Sequence, residues 1–431
     1  MPRKQRYTTH KIYETIYADG YMGSESHVRG YIGELRRAAR RVAVFLPLEF
    51  DPGIDAQVDW GEAEAVIASK RVTVQLFVLR LCYSHRTFAM AFPTQRQEAF
   101  FWGHVQAFHH IGGVPHRISY DNLTTAVKKV LEGHTRHQQP AFLAFRSHSL
   151  FASHFCTVRE GHEKGQVEHG VGFARRNFLV PIPEVESFAA LNAHLQSEMA
   201  RDDARTLDRQ PRPIRAMWEQ EQPQLHALPN REFDCGVAVS VTLSPYSQVI
   251  FETNRYSVPV ETAQRDLVVK ADPFHLDILA QHQLLARHPR CYEREQDILD
   301  PLHYLPLLEQ RPGAFEHAKP IRAWRAHWPL AYTRLLNRLR DQQSEGRGVR
   351  EFVRILQLHQ TYPAALLAQA IELALQYGCI DRDGVLLCLH QIQHPDQMRA
   401  ALALTDSPQL ESAGTQPIDL RCYDSLLTGG G

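Results

Sequence analysis

Asp55-Ala56-Gln57-Val58-Asp59-Trp60 alternates strictly: Ala56, Val58 and Trp60 fall on one face of an extended chain, and Asp55, Gln57 and Asp59 on the other. Asp59 is thus presented by a strand whose opposite face is apolar. The next run, 72–83, is almost continuously apolar and rich in β-formers, which predicts a strand covered on both sides. Residues 87–93 predict a third strand, and a helical stretch follows over about 95–111. The break Gly112-Gly113-Val114-Pro115 ends that helix, and 116–120 supplies a fourth strand that stops at Asp121. A third carboxylate, Glu168, falls in a stretch where Val167, Val171, Ala174 and Phe178 repeat at helical spacing. Lys164 precedes it by one turn, where it can offset carboxylate charge or touch a phosphate, and Arg175 and Arg176 follow.

Three strands, a crossover helix and a fourth strand resemble the first half of an RNase H-like sheet. In that topology the fourth strand lies beside the first, so Asp59 and Asp121 become neighbours at strand ends, and Glu168 reaches them from the margin of its helix stripe. Any one of these acids alone reads as a surface or ion-pair residue. The ordered set of strand, strand and helix points to a nucleic-acid cutting and joining site.

The strings VDWGEAE (58–64), YDNLTTAVKKV (120–130) and GHEKGQVEHGVGFARRNFLVPIP (161–183) resemble the catalytic core of the IstA-type transposases, the insertion-sequence-twenty-one family, relatives of retroviral integrases and Mu transposase. Lys164-Gly165-Gln166-Val167-Glu168 matches that family's lysine-glycine-x-valine-glutamate signature, so Glu168 rather than Glu163 aligns with the catalytic glutamate. The resemblance covers about residues 12–315. It implies a DNA transposase of the Asp-Asp-Glu type, with Asp59, Asp121 and Glu168 holding two Mg2+ ions, Mn2+ being a possible substitute. Two such ions about 3.5–4 Å apart clamp the attacking, leaving and phosphoryl oxygens in line, and carboxylates suit them better than histidine or cysteine. Hydrolysis at the element's end would release a 3′ hydroxyl that then attacks target DNA, with no covalent enzyme–DNA link. Asn122 either orients a water or phosphate or simply forms a turn. The implied partners are DNA (element ends and target), further copies of the chain in a multimer, and an IstB-like AAA+ ATPase. The stretch between Asp121 and Glu168 is longer than in integrases; its insert, with Phe142, Phe145 and His148, predicts a helix and loop.

A chain of 431 residues, 44% hydrophobic, can bury more than one core. No run approaches the roughly 18 consecutive apolar residues of a membrane span, and the start MPRKQRY is not a signal peptide, so a cytoplasmic location is expected. The 7 cysteines form no CxxC pair and read as reduced thiols; the 24 histidines lack zinc-ligand spacing with them. Net charge is zero, but residues 1–41 hold nine Lys/Arg against four Asp/Glu and residues 311–350 hold nine against three. Such stripes either neutralise phosphates or are solvated helix faces.

The sequence predicts six segments. Residues 1–42 read as a helix-turn-helix: a helix from His10 to Ala18, a turn at 19–23, and a second helix capped by Ser24 with Val28, Tyr31, Ile32 and Leu35 inward. Ser26, His27 and Arg29 then face base edges, with Arg36 and Arg37 nearer the backbone; a plain helical hairpin is the alternative. Family members carry another helix-turn-helix upstream, and this sequence starts after it, which implies either a shortened member or a misplaced start. Residues 50–182 are the RNase H-like core and 183–230 a helical connector. Residues 231–295 show short alternating strands resembling a small Mu-transposase-type β-barrel, with Asn254-Arg255-Tyr256-Ser257-Val258-Pro259 its most recognisable string; seven basic against eleven acidic residues over 231–300 leave DNA or protein contact open. Residues 315–404 are helical, with Trp324, Trp328, Leu335 and Leu339 in packing positions, and 405–431 read as a disordered tail. A catalytically silent repressor or end-binding protein with the same fold, and a metal-dependent nuclease that does not join strands, are the competing functions.

Overall fold

The computed structural model describes residues 9–38, 49–120, 127–130, 136–138, 140–155, 167–207 and 210–394. The chain divides into two units, residues 1–235 and 236–431.

The first unit opens with α1 (Thr9–Ala18) and α2 (Glu25–Ala38). Three antiparallel strands follow, β1 (Asp55–Ile67), β2 (Lys70–Leu81) and β3 (Thr87–Phe92), then α3 (Gln97–Ile111) and β4 (Arg117–Tyr120). A two-stranded ribbon, β5 (Val127–Val130) and β6 (Arg136–Gln138), leads to α4 (Pro140–Ser149) and β7 (Ala152–Phe155). Then come α5 (Val167–Phe178), β8 (Glu184–Val185), α6 (Phe188–Asp202) and α7 (Ile214–Glu221). The sheet order is β3-β2-β1-β4-β7, with β4 and β7 parallel to β1 and its neighbour, and β8 pairing the far end of β1. The expected placement of the fourth strand beside the first is found.

Three expectations change. β1 does not stop near Trp60 but continues to Ile67: past Trp60 the buried positions pass to Ala63 and Ala65, on the face that carries Asp59, and Ala68-Ser69, both at positive φ (48° and 63°), close a two-residue hairpin to β2. Asp59 is therefore a mid-strand residue rather than a strand-end one. The insert expected as helix and loop contains α4 and also β7, a fifth core strand too short and exposed to show a pattern. The expected connector, 183–230, is packed on the sheet. Asn192 of α6 accepts from Ala91 N at 2.8 Å and donates to Ala91 O at 3.1 Å, capping the edge of β3, and the buried Glu221 carboxylate that ends α7 accepts from Gly53 N and Ser84 N, each at 3.1 Å.

The core of this unit is aromatic. Trp60 and Phe77 on one sheet face meet at 5.4 Å, and Phe100, Phe101, Phe108, Phe142, Phe145 and Phe151 fill the space between that face, α3 and α4. The other face, carrying Asp59, is covered by α5.

In the second unit β9 (Val237–Thr242), β10 (Gln248–Phe251), β11 (Asn254–Ser257), β12 (Asp266–Ala271), β13 (His275–Ala280), β14 (Gln283–Pro289) and β15 (Asp297–Ile298) build two sheets, ordered β14-β13-β12-β9 and β10-β11-β15. Val249, Tyr256, Leu267, Val269 and Ile278 form their common core. Six α-helices follow among the described residues: α8 (Leu305–Gln310), α9 (Lys319–Arg325), α10 (Leu330–Gln342), α11 (Glu345–Leu356), α12 (Ala364–Tyr377) and α13 (Arg382–Gln393). Their core holds Leu335 and Leu339 with Phe352 and Ile371, and Trp324 and Trp328 pack against it half-buried, in the positions expected of them. The tail from residue 395, including the stretch read as disordered, lies outside the described residues.

Candidate active site

Asp59 shares a sheet face with Asp55, Gln57 and Gly61 and is half-buried, while Ala56 and Val58 on the reverse are fully buried. Its Oδ1 accepts from Trp60 N at 2.8 Å. The parallel ladder between β1 and β4 runs from Asp55–Arg117 to Val58–Tyr120, so it ends one residue before Asp59. Tyr120 immediately precedes Asp121 in the sequence; Asp121, Asn122 and Lys164 lie outside the described residues.

Glu168 stands in the first turn of α5, with its side chain outside the described set. Of the expected stripe, Val171, Ala174 and Phe178 are buried, 6%, 0% and 3% exposed, and the Val167 side chain lies outside the described set. This helix is pressed hard on the sheet. A Cβ built on Gly61 would lie 2.1 Å from Val171 Cγ1 and 3.1 Å from Arg175 Nη2, and one built on Gly170 would stand 3.8 Å from Val78 Cγ1. Val78 is the cross-strand partner of Asp59, so α5 crosses β1 and β2 at Asp59 and Gly61. Arg175 and Arg176 are exposed on that helix.

Two contacts that sequence reasoning missed brace this corner. The buried His104 of α3 has Nδ1 2.7 Å from Phe100 O and Nε2 3.0 Å from the Tyr120 hydroxyl. A carbonyl only accepts, so Nδ1 carries the proton and neutral Nε2 accepts from Tyr120. Burial in this apolar setting drives the His104 pKa down to about 3 and pushes the Tyr120 phenol well above its ordinary value. The only signal was a histidine inside an otherwise apolar helix, FFWGHVQAF. At the other end of the ladder Arg117 donates to both oxygens of buried Asp55, at 2.5 and 2.8 Å, locking the first pair of the register. The hydrogen bond to Asp55 holds the Arg117 guanidinium above its usual range. Among the described residues no group of three or more His, Cys, Asp or Glu side chains is placed to hold a metal.

Residues 228–300 match the family described as Mu transposase, C-terminal domain. A transposase of Aminobacter aminovorans is 32% identical over 437 residues, covering 98% of this chain and 84% of that protein. The transposase for insertion sequence element IS21 of Pseudomonas aeruginosa is 30% identical over 317 residues, covering 73% of this chain and 80% of its own length. The chain belongs to the IS21/IS1326-type transposases. The Pseudomonas aeruginosa transposase for insertion sequences IS1326/IS1353 is 31% identical over 447 residues, again covering 98% of this chain and 84% of the relative. Among solved structures, the HTLV-2 integrase catalytic core domain in complex with magnesium aligns with 39% of this chain and 97% of its own, at 13% identity and a TM-score of 0.29.

In this IS21/IS1326-type chain the two N-terminal helices are joined by a turn through Gly20, and His27 N donates to Ser24 Oγ at 3.4 Å, as a helix cap does. Ser26, His27 and Arg29 are exposed, but each is tied locally: Ser26 Oγ is 2.9 Å and His27 Nδ1 3.4 Å from Ser24 Oγ, and Arg29 pairs with Glu25 at 2.9 Å. Of the residues expected inward, Val28 is buried and Ile32 half-buried, whereas Tyr31 and Leu35 are 63% and 51% exposed. A pair of helices covers only the centre of a stripe that a third helix would be needed to bury fully. The side chains of Arg36 and Arg37 lie outside the described set. Among the described residues no helix is long and apolar enough to cross a membrane.

Proposed function

We propose that this transposase cleaves and joins DNA ends through Asp59, Asp121 and Glu168. The observation that carries the reading is the meeting of three elements at one corner. The β1–β4 ladder ends at Val58–Tyr120, one residue short of Asp59 and of Asp121 in sequence, and α5, with Glu168 one turn before Val171, crosses the same point. The donor set is all carboxylate oxygen, which fits Mg2+ or Mn2+ and not zinc, and Asp59 is half-buried on a rigid strand as a ligand needs to be. Asp59, Asp121 and Glu168 would hold two such ions. When bound, these supply Lewis-acid stabilisation of the charge that builds on phosphoryl, attacking and leaving oxygens.

The chain's own groups orient the DNA. Arg175, lying across Gly61, offers a guanidinium to a phosphate beside Asp59, and Arg176 and Lys164 extend the cationic margin. α1 and α2 act as a helix-turn-helix on element ends, Ser26, His27 and Arg29 exchanging their local partners for base edges while Arg36 and Arg37 meet the backbone. The working form is a multimer on two element ends, with an IstB-like ATPase presenting target DNA.

The test is cleavage and joining of labelled element ends by Asp59→Asn, Asp121→Asn and Glu168→Gln. Each is expected to lose both products while binding end DNA within a few-fold of the parent. Retained activity in any one removes that residue from the site; nicking without joined products in the parent would make the chain a nuclease, and neither product would leave a silent end-binding protein.

A further inference from the structure

Gly61 has no positive φ to explain it, so its backbone conformation is open to any residue. What it lacks is room. The nearest atom to a Cβ built there, Val171 Cγ1 at 2.1 Å, belongs to a side chain that is stiff in a helix and holds one dominant rotamer. Arg175 Nη2, at 3.1 Å, is by contrast the free-swinging end of a long side chain and can move aside. Restoring ordinary contact of about 3.6 Å between carbons would therefore shift α5 outward by about 1.5 Å rather than rotate Val171.

We propose that Gly61 is a positioning residue for the end cleavage that this site carries out: it is the socket that receives Val171 and so sets how close the Glu168 turn of α5 stands to Asp59. The inference rests on the site assignment above. Val171 lies three residues, about 4.5 Å along the helix axis, from Glu168, and Gly61 lies two residues along β1 from Asp59 on the same sheet face. A misplacement of about 1 Å between reacting groups costs roughly a hundredfold in rate.

The experiment compares Gly61→Ala, Gly61→Ala/Val171→Ala and Asp59→Asn in the full chain, at a temperature where circular dichroism shows each folded. Gly61→Ala is expected to slow single-turnover end cleavage about a hundredfold at saturating DNA, leave the Kd for end DNA within twofold, and weaken Mn2+ binding measured by electron paramagnetic resonance without DNA. The double variant, which returns the space, is expected to regain at least about tenfold of the rate. If Gly61→Ala does not fold, Val171→Ile, which adds one methylene to the same gap, takes its place with the same expectations. Parental rate and Mn2+ affinity in the single variant, or no recovery in a folded double variant, overturns the proposal. An inactive Asp59→Asn beside a fully active Gly61→Ala removes the socket alone; an active Asp59→Asn removes the site and the socket with it.

Discussion

Acidification from pH 7 to 5 costs the first unit stability through His104, against an opposite contribution from Asp203 and Glu221, whose carboxyls burial holds above their ordinary range. In the folded protein its pKa is driven down to about 3 by burial, against 6.5 for a free imidazole. A depressed folded pKa means the unfolded chain takes up a proton that the folded one refuses, so stability is complete above pH 6.5 and is lost as pH falls toward 3. With one unit of pKa equal to about 1.4 kcal/mol, the loss from this group between pH 7 and 5 is about 2 kcal/mol. His85 and His110, each lowered to about 4 mainly by burial, act in the same direction over the same window. The informative variant is His104→Phe/Tyr120→Phe, which removes both partners of the His104–Tyr120 hydrogen bond; the Phe100 carbonyl loses the Nδ1 donor as well but stays within the backbone ladder of α3. Any packing cost of the larger ring is equal at both pH values and cancels. Urea denaturation followed by circular dichroism at pH 7 and 5 should give a pH-dependent loss about 2 kcal/mol smaller in the variant than in the parent. Equal losses in the two would refute the argument, and would mean that His104 either titrates near 6.5 in the folded state or is not enclosed by α3 and β4.

Arg117→Ala strips the bidentate partner from buried Asp55; because Arg117 is half-exposed the cost is about 1–2 kcal/mol, a fall of a few degrees in Tm by calorimetry, and slower end cleavage is expected as the β1–β4 register loosens. Glu221→Ala leaves Gly53 N and Ser84 N buried without an acceptor and should cost about 3 kcal/mol in urea melts, whereas a surface change such as Glu219→Ala should cost under about 0.5 kcal/mol. Leu335→Ala, at a fully buried position of the second unit, should lose about 2–5 kcal/mol there; a loss under about 1 kcal/mol would mean that this helical core is not packed as described.

Local periodicity carried the reading of the sheet and of α5. Alternation at 55–60, the apolar run at 72–83 and the stripe Val171, Ala174, Phe178 are short-range properties, and each element formed where its pattern lay. The errors have equally local causes. β1 outruns the pattern at 55–60 because its buried positions change face after Trp60 and its hairpin turns on Ala68-Ser69 rather than on an Asn-Gly or Asp-Gly pair that announces a turn. β7 leaves no mark in the sequence because ASHF has no apolar alternation and is specified by its neighbour β4.

By itself, then, the amino-acid order determined the strand and helix periods and the succession of Asp59, Asp121 and Glu168, since these need only neighbours a few residues apart. The tertiary structure alone decided that His104 braces Tyr120, that Arg117 clamps Asp55, that Glu221 holds a backbone amide 168 residues away in Gly53, and that Val171 enters the space at Gly61. Those contacts depend on how closely packed layers approach, a matter of ångströms between distant segments that no repeat along the chain encodes.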